Sequence, residues 1–164
     1  MADIDQRITL PDYWMGRDAK YPRDLSYEII ATAKVLLERV NALLQDFADD
    51  TGLDVRQVAS GWRPRGVNDA TANAAVGSTH LTGQGIDLRD TANRDLARWC
   101  LANLDTLEAI GLWMEDPQWT WHEKAGGAPW VHLQIRPPGS GRRVYVPSAK
   151  PPLAAKLREQ GGVA

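Results

Sequence analysis

The chain has 164 residues, of which 43% are hydrophobic, and its formal net charge at pH 7 is −2. This length and apolar fraction predict one folded domain with a real core and argue against disorder. Acidic and basic residues are mixed along the sequence without a concentrated basic face, which argues against nucleic acid as the main partner. The single cysteine, Cys100, cannot form an internal disulfide or a cysteine-based zinc site, and we expect it to be buried.

The first ten residues carry Asp3, Asp5 and Arg7 and contain no apolar core segment, so they do not have the pattern of a secretory signal. No apolar run approaches the roughly 20 residues of a membrane helix. We therefore expect a protein made in the cytoplasm, without membrane insertion, that another process moves to its place of action. We also expect it to act as a monomer.

The N-terminal third is predicted to hold one long helix. Residues 1–23 are expected to be irregular because breakers interrupt them. These breakers are Pro11, Gly16 and Pro22. Asp24 is a plausible N-cap, and apolar residues then recur at helical spacing over 25–47. We expect this helix to end near Gly52 and to bury its apolar stripe in the core.

The middle of the chain alternates between short strands and loops. Residues 54–60 roughly alternate in polarity and are predicted to form a strand. Residues 61–77 are predicted to form a long loop, and loops of this length in a compact domain are often functional. A short strand is predicted over 85–88. Asp90 is a candidate cap for a second helix over 94–103.

The C-terminal part is predicted to complete a small sheet. A short helix is expected before Gly111, followed by strands over 112–114 and 130–135. The turn at 137–141 is expected to lead into a hairpin strand over 142–146. Residues 148–164 are expected to form a peripheral tail. Taken together, residues 1–164 are predicted to form a single α+β domain in which helices pack on a small, mostly antiparallel sheet.

Seven tryptophans are unusual for this length, and most are expected in the core. Trp119, Trp121 and Trp130 lie close in sequence to a histidine at position 132. We expect one or more of these three side chains to form the wall of a cleft.

Two of the three histidines lie in suggestive settings. His80 precedes a glycine-containing turn that leads to Asp87, and His132 lies in the middle of a predicted strand. Two imidazoles and a carboxylate suit zinc, and three protein ligands leave a fourth position open for chemistry. Each residue alone also has an ordinary explanation: a surface histidine, a capping carboxylate and a satisfied core histidine.

Three segments occur in an order that indicates a known family. They are Ser60-Gly61-Trp62-Arg63-Pro64, then Ser78-x-His80-x-x-Gly83-x-x-x-Asp87, then Trp130-Val131-His132. This pattern resembles the zinc D-alanyl-D-alanine carboxypeptidases and L-alanyl-D-glutamate endopeptidases, a family that includes phage endolysins. The motifs span residues 60–134. The predicted helix before them and the predicted hairpin after them also resemble elements of that family's fold.

The resemblance implies a zinc site and a substrate. It makes His80, Asp87 and His132 the ligands of Zn²⁺, and Arg63 the substrate-side cation that steadies an oxyanion or holds a carboxylate. The implied substrate is the stem peptide of peptidoglycan. Ser78 and Trp130 are candidate substrate contacts, although Ser78 could equally shape its turn. Gln134 is expected behind the metal if it shares the strand face of His132.

One position departs from the family pattern. Many members carry a carboxylate three residues before the last histidine as the general base, and this chain has Pro129 there. The open candidates for the base are Glu115, Asp116, His122 and Glu123. We favour Glu115, because a carboxylate in an aromatic pocket has a raised pKa that suits proton transfer.

These observations predict a zinc-dependent peptidoglycan peptidase, either a D,D-carboxypeptidase or an L-Ala-D-Glu endopeptidase, similar to a phage lysin. It would act at the bacterial cell wall, in the host periplasm or envelope, and could be associated with a virion. The alternative is a non-catalytic wall-binding or phage-particle structural protein that kept the fold, and the proline at position 129 favours that alternative.

Overall fold

The computed structural model describes residues 7–72, 74–121 and 123–147. In this part of the chain, α-helices pack with a five-stranded sheet, so the predicted α+β class is confirmed. The helices are α1 (Leu10–Trp14), α2 (Arg17–Lys20), α3 (Tyr27–Thr51), α4 (Arg65–Ala70), α5 (Asp95–Ala102), α6 (Leu104–Ile110) and α7 (Pro117–Thr120). The strands are β1 (Val58–Ser60), β2 (Gly85–Arg89), β3 (Trp113–Glu115), β4 (Trp130–Gln134) and β5 (Val144–Tyr145). Short 3₁₀ turns cover Pro22–Asp24 and Glu123–Ala125. No helix in these ranges has the length and hydropathy to cross a membrane.

The N-terminal segment is more ordered than its breakers suggested. The prediction that residues 1–23 are irregular is wrong where α1, α2 and the first 3₁₀ turn form. Thr9 and Asp12 make a reciprocal capping box, and Pro11 lies in the first turn of α1, where its missing N–H costs nothing. The capping box therefore starts a helix here, although the proline alone suggested that this segment is irregular.

Helix α3 forms the long apolar support of the sheet. Its N-cap is Ser26, whose hydroxyl accepts from the backbone N–H of Ile29, so the predicted cap at Asp24 is two residues early. The predicted stop is confirmed, because Gly52 takes a left-handed conformation with φ 71°. The buried stripe includes Leu36, Val40, Leu43 and Phe47, as the helical spacing predicted.

The sheet has the strand order β1-β2-β4-β3-β5, and its first three pairings are antiparallel. Alternation in β2 and β4 separates its two faces. One face is the core, where the side chains are fully or almost fully buried: Ile86, Leu88, Met114, Val131 and Leu133. The opposite face carries Gly85, Asp87, His132 and Gln134, and three of these residues line a cleft: Asp87, His132 and Gln134.

The strand predicted over 54–60 is shorter than expected, because only Val58–Ser60 pairs with β2, through an irregular register. The predicted loop over 61–77 contains α4, so that prediction is also partly wrong. Helix α4 begins directly after Pro64, and Asn68 holds the following turn by donating from Nδ2 to Ala75 O at 3.0 Å. The segment therefore contains a short helix, although its glycine and proline content alone predicted a loop throughout.

Strand β5 does not form the predicted hairpin. It pairs in parallel with β3, not with β4. Strand β4 already has β2 on one edge and β3 on the other, so the returning chain can add only to the free edge of β3. The tail predicted over 148–164 lies outside the described residues.

Between the strands, α5 and α6 form where they were expected. The carboxylate of Asp90 accepts from the backbone N–H groups of Leu96 and Ala97 at 2.9 and 3.0 Å, which caps α5 as predicted. Helix α6 ends at Gly111 with φ 85°. Cys100 on α5 is fully buried, which confirms its expected place in the core.

Candidate metal centre

The structure brings His80, Asp87 and His132 together at the floor of a cleft. They are 3%, 5% and 7% exposed, and their ligand atoms all lie within 4.8 Å of one another. His80 Nε2 is 3.3 Å from Asp87 Oδ1, and His132 Nδ1 is 2.7 Å from the same oxygen. A group of two imidazoles and one carboxylate in this arrangement could hold a metal ion.

Strand register explains why two of these residues meet. Asp87 on β2 lies directly opposite His132 on β4, so both side chains project from the same face of the sheet. Ser60 on β1 continues this row on one side, and Glu115 and Tyr145 form a pair on the other side. Extending the β3–β4 register by one residue puts Glu115 opposite His132, which completes a row across all five strands.

His80 reaches the row from the loop before β2, and two glycines make that approach feasible. Gly83 has φ +74°, a conformation that a residue with a Cβ rarely adopts. Gly85 is needed for space instead, because a Cβ there would collide with the Thr79 hydroxyl and lie 3.0 Å from His132 Cε1. The glycines therefore do turn the chain back toward Asp87, as expected, but only Gly83 does so through its backbone angles.

The hydrogen bonds of His80 select which ring nitrogen faces Asp87. Its Nδ1 lies 2.8 Å from the carbonyl oxygen of Gly61, an acceptor only, so Nδ1 carries the proton. The Nε2 atom that faces Asp87 is then free to act as a ligand. Arg63 N–H donates to His80 O at 3.0 Å, which ties the loop after β1 to the histidine.

His132 is oriented by a buried network that begins with Gln134. Gln134 Nε2 donates to Arg136 O at 2.6 Å, so Gln134 Oε1 is the atom that faces inward. That oxygen accepts from Tyr145 OH at 2.6 Å and lies 3.0 Å from His132 Nε2, which therefore donates to it. His132 Nδ1 is left unprotonated toward Asp87 when a metal replaces the proton between them. The strand alternation predicted the Gln134 contact, whereas the role of Tyr145 was missed.

Asp87 is held from both sides. While Oδ1 faces the two histidines, Oδ2 lies 3.2 Å from Arg63 Nη2. Burial opposes the charged form, but attraction to His80 and hydrogen bonds with His132 and His80 outweigh it and hold the pKa of Asp87 well below its usual range. Asp87 is therefore ionised and ready to act as a ligand at any physiological pH.

Burial also acts on the two histidines, with different results. Burial lowers the pKa of His80, which favours the neutral imidazole that a metal needs. Burial acts in the same direction on His132, but its hydrogen bond and attraction to Asp87 outweigh it and raise the pKa of His132. A metal that binds His132 therefore competes with a proton that this side chain holds more tightly than an unperturbed imidazole does.

The distances between the three residues test whether a zinc ion fits. With bonds of about 2.0–2.2 Å in a tetrahedron, two ligand atoms lie roughly 3.3–3.6 Å apart. The pair formed by His80 and Asp87, at 3.3 Å, already has that separation. The pair formed by His132 and Asp87, at 2.7 Å, has a hydrogen-bond separation and must open by less than about 1 Å. These two separations, together with the 4.8 Å limit on all three ligand atoms, are therefore compatible with a zinc ion.

Glu115 lies beside this group, half-buried at the end of β3 and on the cleft wall. Burial raises the pKa of its carboxyl, although the attraction of His132 acts in the opposite direction. A raised pKa brings the protonated and ionised forms closer in abundance near neutral pH, which suits a group that exchanges protons.

The other candidates for the base differ in position. Asp116 does not line the cleft and accepts from the backbone N–H of Gln118 as the N-cap of α7. Glu123 lines the cleft but is exposed. His122 lies outside the described residues. Pro129 is buried just before β4, and its carbonyl accepts from Asp90 N–H, so its backbone supports the sheet where the family pattern has a carboxylate.

Arg63, predicted to be the substrate-side cation, also contacts two side chains of the protein. Nε donates to Ser60 Oγ at 2.9 Å, and Nη2 pairs with Asp87. Among the described residues Nη1 has no hydrogen-bond partner, and the side chain lines the cleft. The guanidinium therefore orients a metal ligand and retains one nitrogen for an anionic group in the cleft.

The cleft above the metal group has a volume of about 1540 Å³. Its walls include Trp119, Trp121 and Trp130, as the sequence predicted, together with Ser78. Ser78 also serves its own turn, because its hydroxyl accepts from His80 N–H at 3.3 Å. Single small-molecule sites usually have roughly 300–1,000 Å³, so this cleft has room for a longer ligand.

No family model, curated protein or solved structure matches this chain.

The arrangement nevertheless has a definite chemical capacity. A group that could hold a metal ion, a carboxyl with a raised pKa and a fixed guanidinium all line the same cleft. These are the parts that hydrolysis of a carbonyl compound requires: a Lewis acid, a proton carrier and a cation for the charge that develops on oxygen.

Proposed function

We propose that the protein is a zinc metallopeptidase that hydrolyses a peptide bond in the stem peptide of bacterial peptidoglycan. The observation that carries the proposal is the His80–Asp87–His132 group, in which hydrogen bonds to Gly61 O and Gln134 Oε1 leave the two inward-facing ring nitrogens for a metal. Two imidazoles, one carboxylate and an open position form the donor set of catalytic zinc sites.

The reaction and the substrate are supported by the motif pattern described above. It resembles carboxypeptidases and endopeptidases that act on D-amino-acid-containing wall peptides. On that basis we propose either a D,D-carboxypeptidase or an L-Ala-D-Glu endopeptidase, acting as a monomer at the cell wall in the manner of a phage lysin.

Each neighbouring side chain has a role in this proposal. When bound, zinc supplies a Lewis acid that polarises the scissile carbonyl and lowers the pKa of a water molecule. Glu115 takes a proton from the attacking water and returns it to the leaving amine. Arg63 steadies the negative charge that develops on the carbonyl oxygen, through Nη1, while Nη2 keeps Asp87 in place.

The first test is mass analysis of the fragments released from purified peptidoglycan, with and without a chelator. We expect chelator-sensitive release of fragments cut within the stem peptide, and the masses identify the bond. Release of no fragments by protein that contains one zinc per chain would favour the non-catalytic alternative, in which the fold binds wall peptide or builds a phage particle.

Glu115→Gln tests the proton carrier separately. We expect it to lower turnover by about 10²–10⁴-fold while the zinc content stays at one per chain. Glu38→Gln is the matched control, because Glu38 is exposed on α3 and lies outside the cleft. Full activity of Glu115→Gln would show that Glu115 is not the base and would shift the assignment to Glu123 or His122.

A further inference from the structure

The cleft carries an excess of positive charge away from the metal group. Besides Arg63, its lining includes Arg94, Arg98 and Arg136, whereas among the described lining residues the acidic side chain away from the metal group is the exposed Glu123. In the described ranges none of these three guanidinium groups forms a salt bridge with a carboxylate, whereas Arg63 pairs with Asp87. Three charges of one sign on a cleft wall attract a ligand of the opposite sign.

Backbone carbonyls, not acidic side chains, hold these arginines in place. Arg94 Nη2 donates to Pro117 O at 3.2 Å, and Arg136 Nη2 donates to Gly77 O at 2.7 Å. Arg98 donates to Asn93 O. A neutral carbonyl fixes the direction of a guanidinium without cancelling its charge, so each arginine keeps nitrogen donors for an anion.

The backbone and the side chain of Arg94 are both held by contacts within the protein. It has φ 60°, a left-handed conformation that is disfavoured for a residue with a side chain. The turn that imposes this angle is closed by Arg94 N–H donating to Thr91 O at 2.9 Å, and the Asp90 cap fixes the start of the turn. The guanidinium also lies over the Trp121 ring at 5.2 Å. Its place on the wall is therefore set before any ligand binds.

Strand β4 has the chain segments that carry Arg94 and Arg136 at its two opposite ends. At its Trp130 end, Asp90 N–H donates to Pro129 O, which brings the turn carrying Arg94 alongside. At its other end, Gln134 contacts the backbone of Arg136. His132 lies midway between these ends. The strand from Trp130 to Gln134 spans roughly 13 Å, which is the length of about four extended residues.

We propose that the cleft selects an extended anionic peptide with a carboxylate on each side of the scissile bond, one received by Arg94 and the other by Arg136. This inference rests on the proposed peptidase function and specifies its substrate class. A free dipeptide is shorter than the strand that separates the two arginine-bearing segments, so the preferred substrate in this proposal is a stem peptide of about four or more residues. Stem peptides meet the charge requirement when they are cut between D-glutamate and the C-terminus, because the α-carboxylate of D-glutamate then lies on one side of the cut and the C-terminal carboxylate on the other. The inference therefore selects the D,D-carboxypeptidase reaction, since both carboxylates lie on the same side of the L-Ala-D-Glu bond.

Synthetic peptides test the proposal directly. The substrate is L-Ala-γ-D-Glu-L-Lys-D-Ala-D-Ala, compared with two analogues in which either the glutamate α-carboxylate or the C-terminus is an amide. We expect each amide to lower kcat/KM of the unmodified protein at least about tenfold. Arg94→Gln should abolish the preference for one of the two carboxylates, and Arg136→Gln the preference for the other. The matched control is Arg23→Gln, an exposed residue outside the cleft, which should keep both preferences.

The acid-to-amide ratio within one variant is the decisive quantity, because partial misfolding lowers both rates alike. Arg94→Lys and Arg136→Lys retain the charge and should retain most of the ratio. Ratios in the Gln variants equal to those of the unmodified protein would overturn the proposal, even if the protein is a peptidase.

If no peptide is cleaved, the proposed function fails, and the substrate inference is then decided by calorimetric binding of the same three peptides to the zinc-loaded protein. Tighter binding of the acid peptide, lost in the two Gln variants, would support the inference without catalysis. Equal binding of acid and amide peptides, or no binding, would overturn it.

Discussion

The contact between Gln134 and His132 offers a sharp test of how the metal group is prepared. Gln134→Leu removes the buried oxygen that accepts from His132 Nε2 at 3.0 Å and from Tyr145 OH at 2.6 Å. Tyr145 OH stays buried and loses this acceptor, and His132 Nε2 keeps only the longer contact with Thr79 Oγ1 at 3.4 Å. The loss of an acceptor by a buried donor costs about 1–3 kcal/mol. The metal-free protein should therefore unfold at a clearly lower denaturant concentration.

Gln134→Leu should also weaken zinc binding, because Gln134 determines which ring nitrogen of His132 carries the proton. Without Gln134 Oε1, only the longer contact with Thr79 Oγ1 still favours the proton on His132 Nε2, so the tautomer that leaves Nδ1 for a metal is less strongly selected. Loss of a group that orients a metal-bound histidine typically costs about 10–100-fold in affinity. We expect a loss of that size when zinc is titrated into the variant in competition with a chromophoric chelator.

The matched control is Gln57→Leu, which makes the same substitution at an exposed position just before β1. It should leave zinc affinity unchanged. Tyr145→Phe leaves Gln134 in place and should cause a smaller loss than Gln134→Leu. Zinc affinity of Gln134→Leu within a factor of about two of the unmodified protein would refute the view that this network prepares the site.

Two further predictions concern pH and the core. Because the pKa of His132 is raised, zinc has to displace a proton that is held more tightly than usual, so zinc affinity should be present above that pKa and fall as pH decreases through it. Zinc titrations between about pH 8 and pH 5 measure this trend, and constant affinity over that range would contradict it. Leu133→Ala removes a fully buried side chain behind the site and should lower the free energy of unfolding in urea by about 2–5 kcal/mol. Leu101→Ala, at a position 45% exposed, should change it by only about 0.5 kcal/mol, and equal effects of the two substitutions would show that the core is misassigned.

Local patterns in the sequence predicted two features of the metal group, whereas the set of three ligands was predicted from the resemblance of the three motifs to a known family. In Val131-His132-Leu133-Gln134, alternation predicts that the two polar side chains share one face, and the structure places them in contact. The glycines after His80 predict a sharp return of the chain, and Gly83 has the positive φ that this requires. Helix α3 likewise follows from the spacing of its apolar residues, because that spacing is a property of the helix alone.

Only the tertiary structure decided what depends on long-range pairing. The parallel pairing of β5 with β3 brings Tyr145 to Gln134, and no short stretch of sequence encodes the choice of a sheet edge. The opposition of Glu115 and His132 follows from the β3–β4 register, and the backbone carbonyls that hold Arg94 and Arg136 are set by how the loops pack. A periodic pattern determines which way a side chain faces, whereas its neighbours across the cleft are set by how the strands and loops assemble.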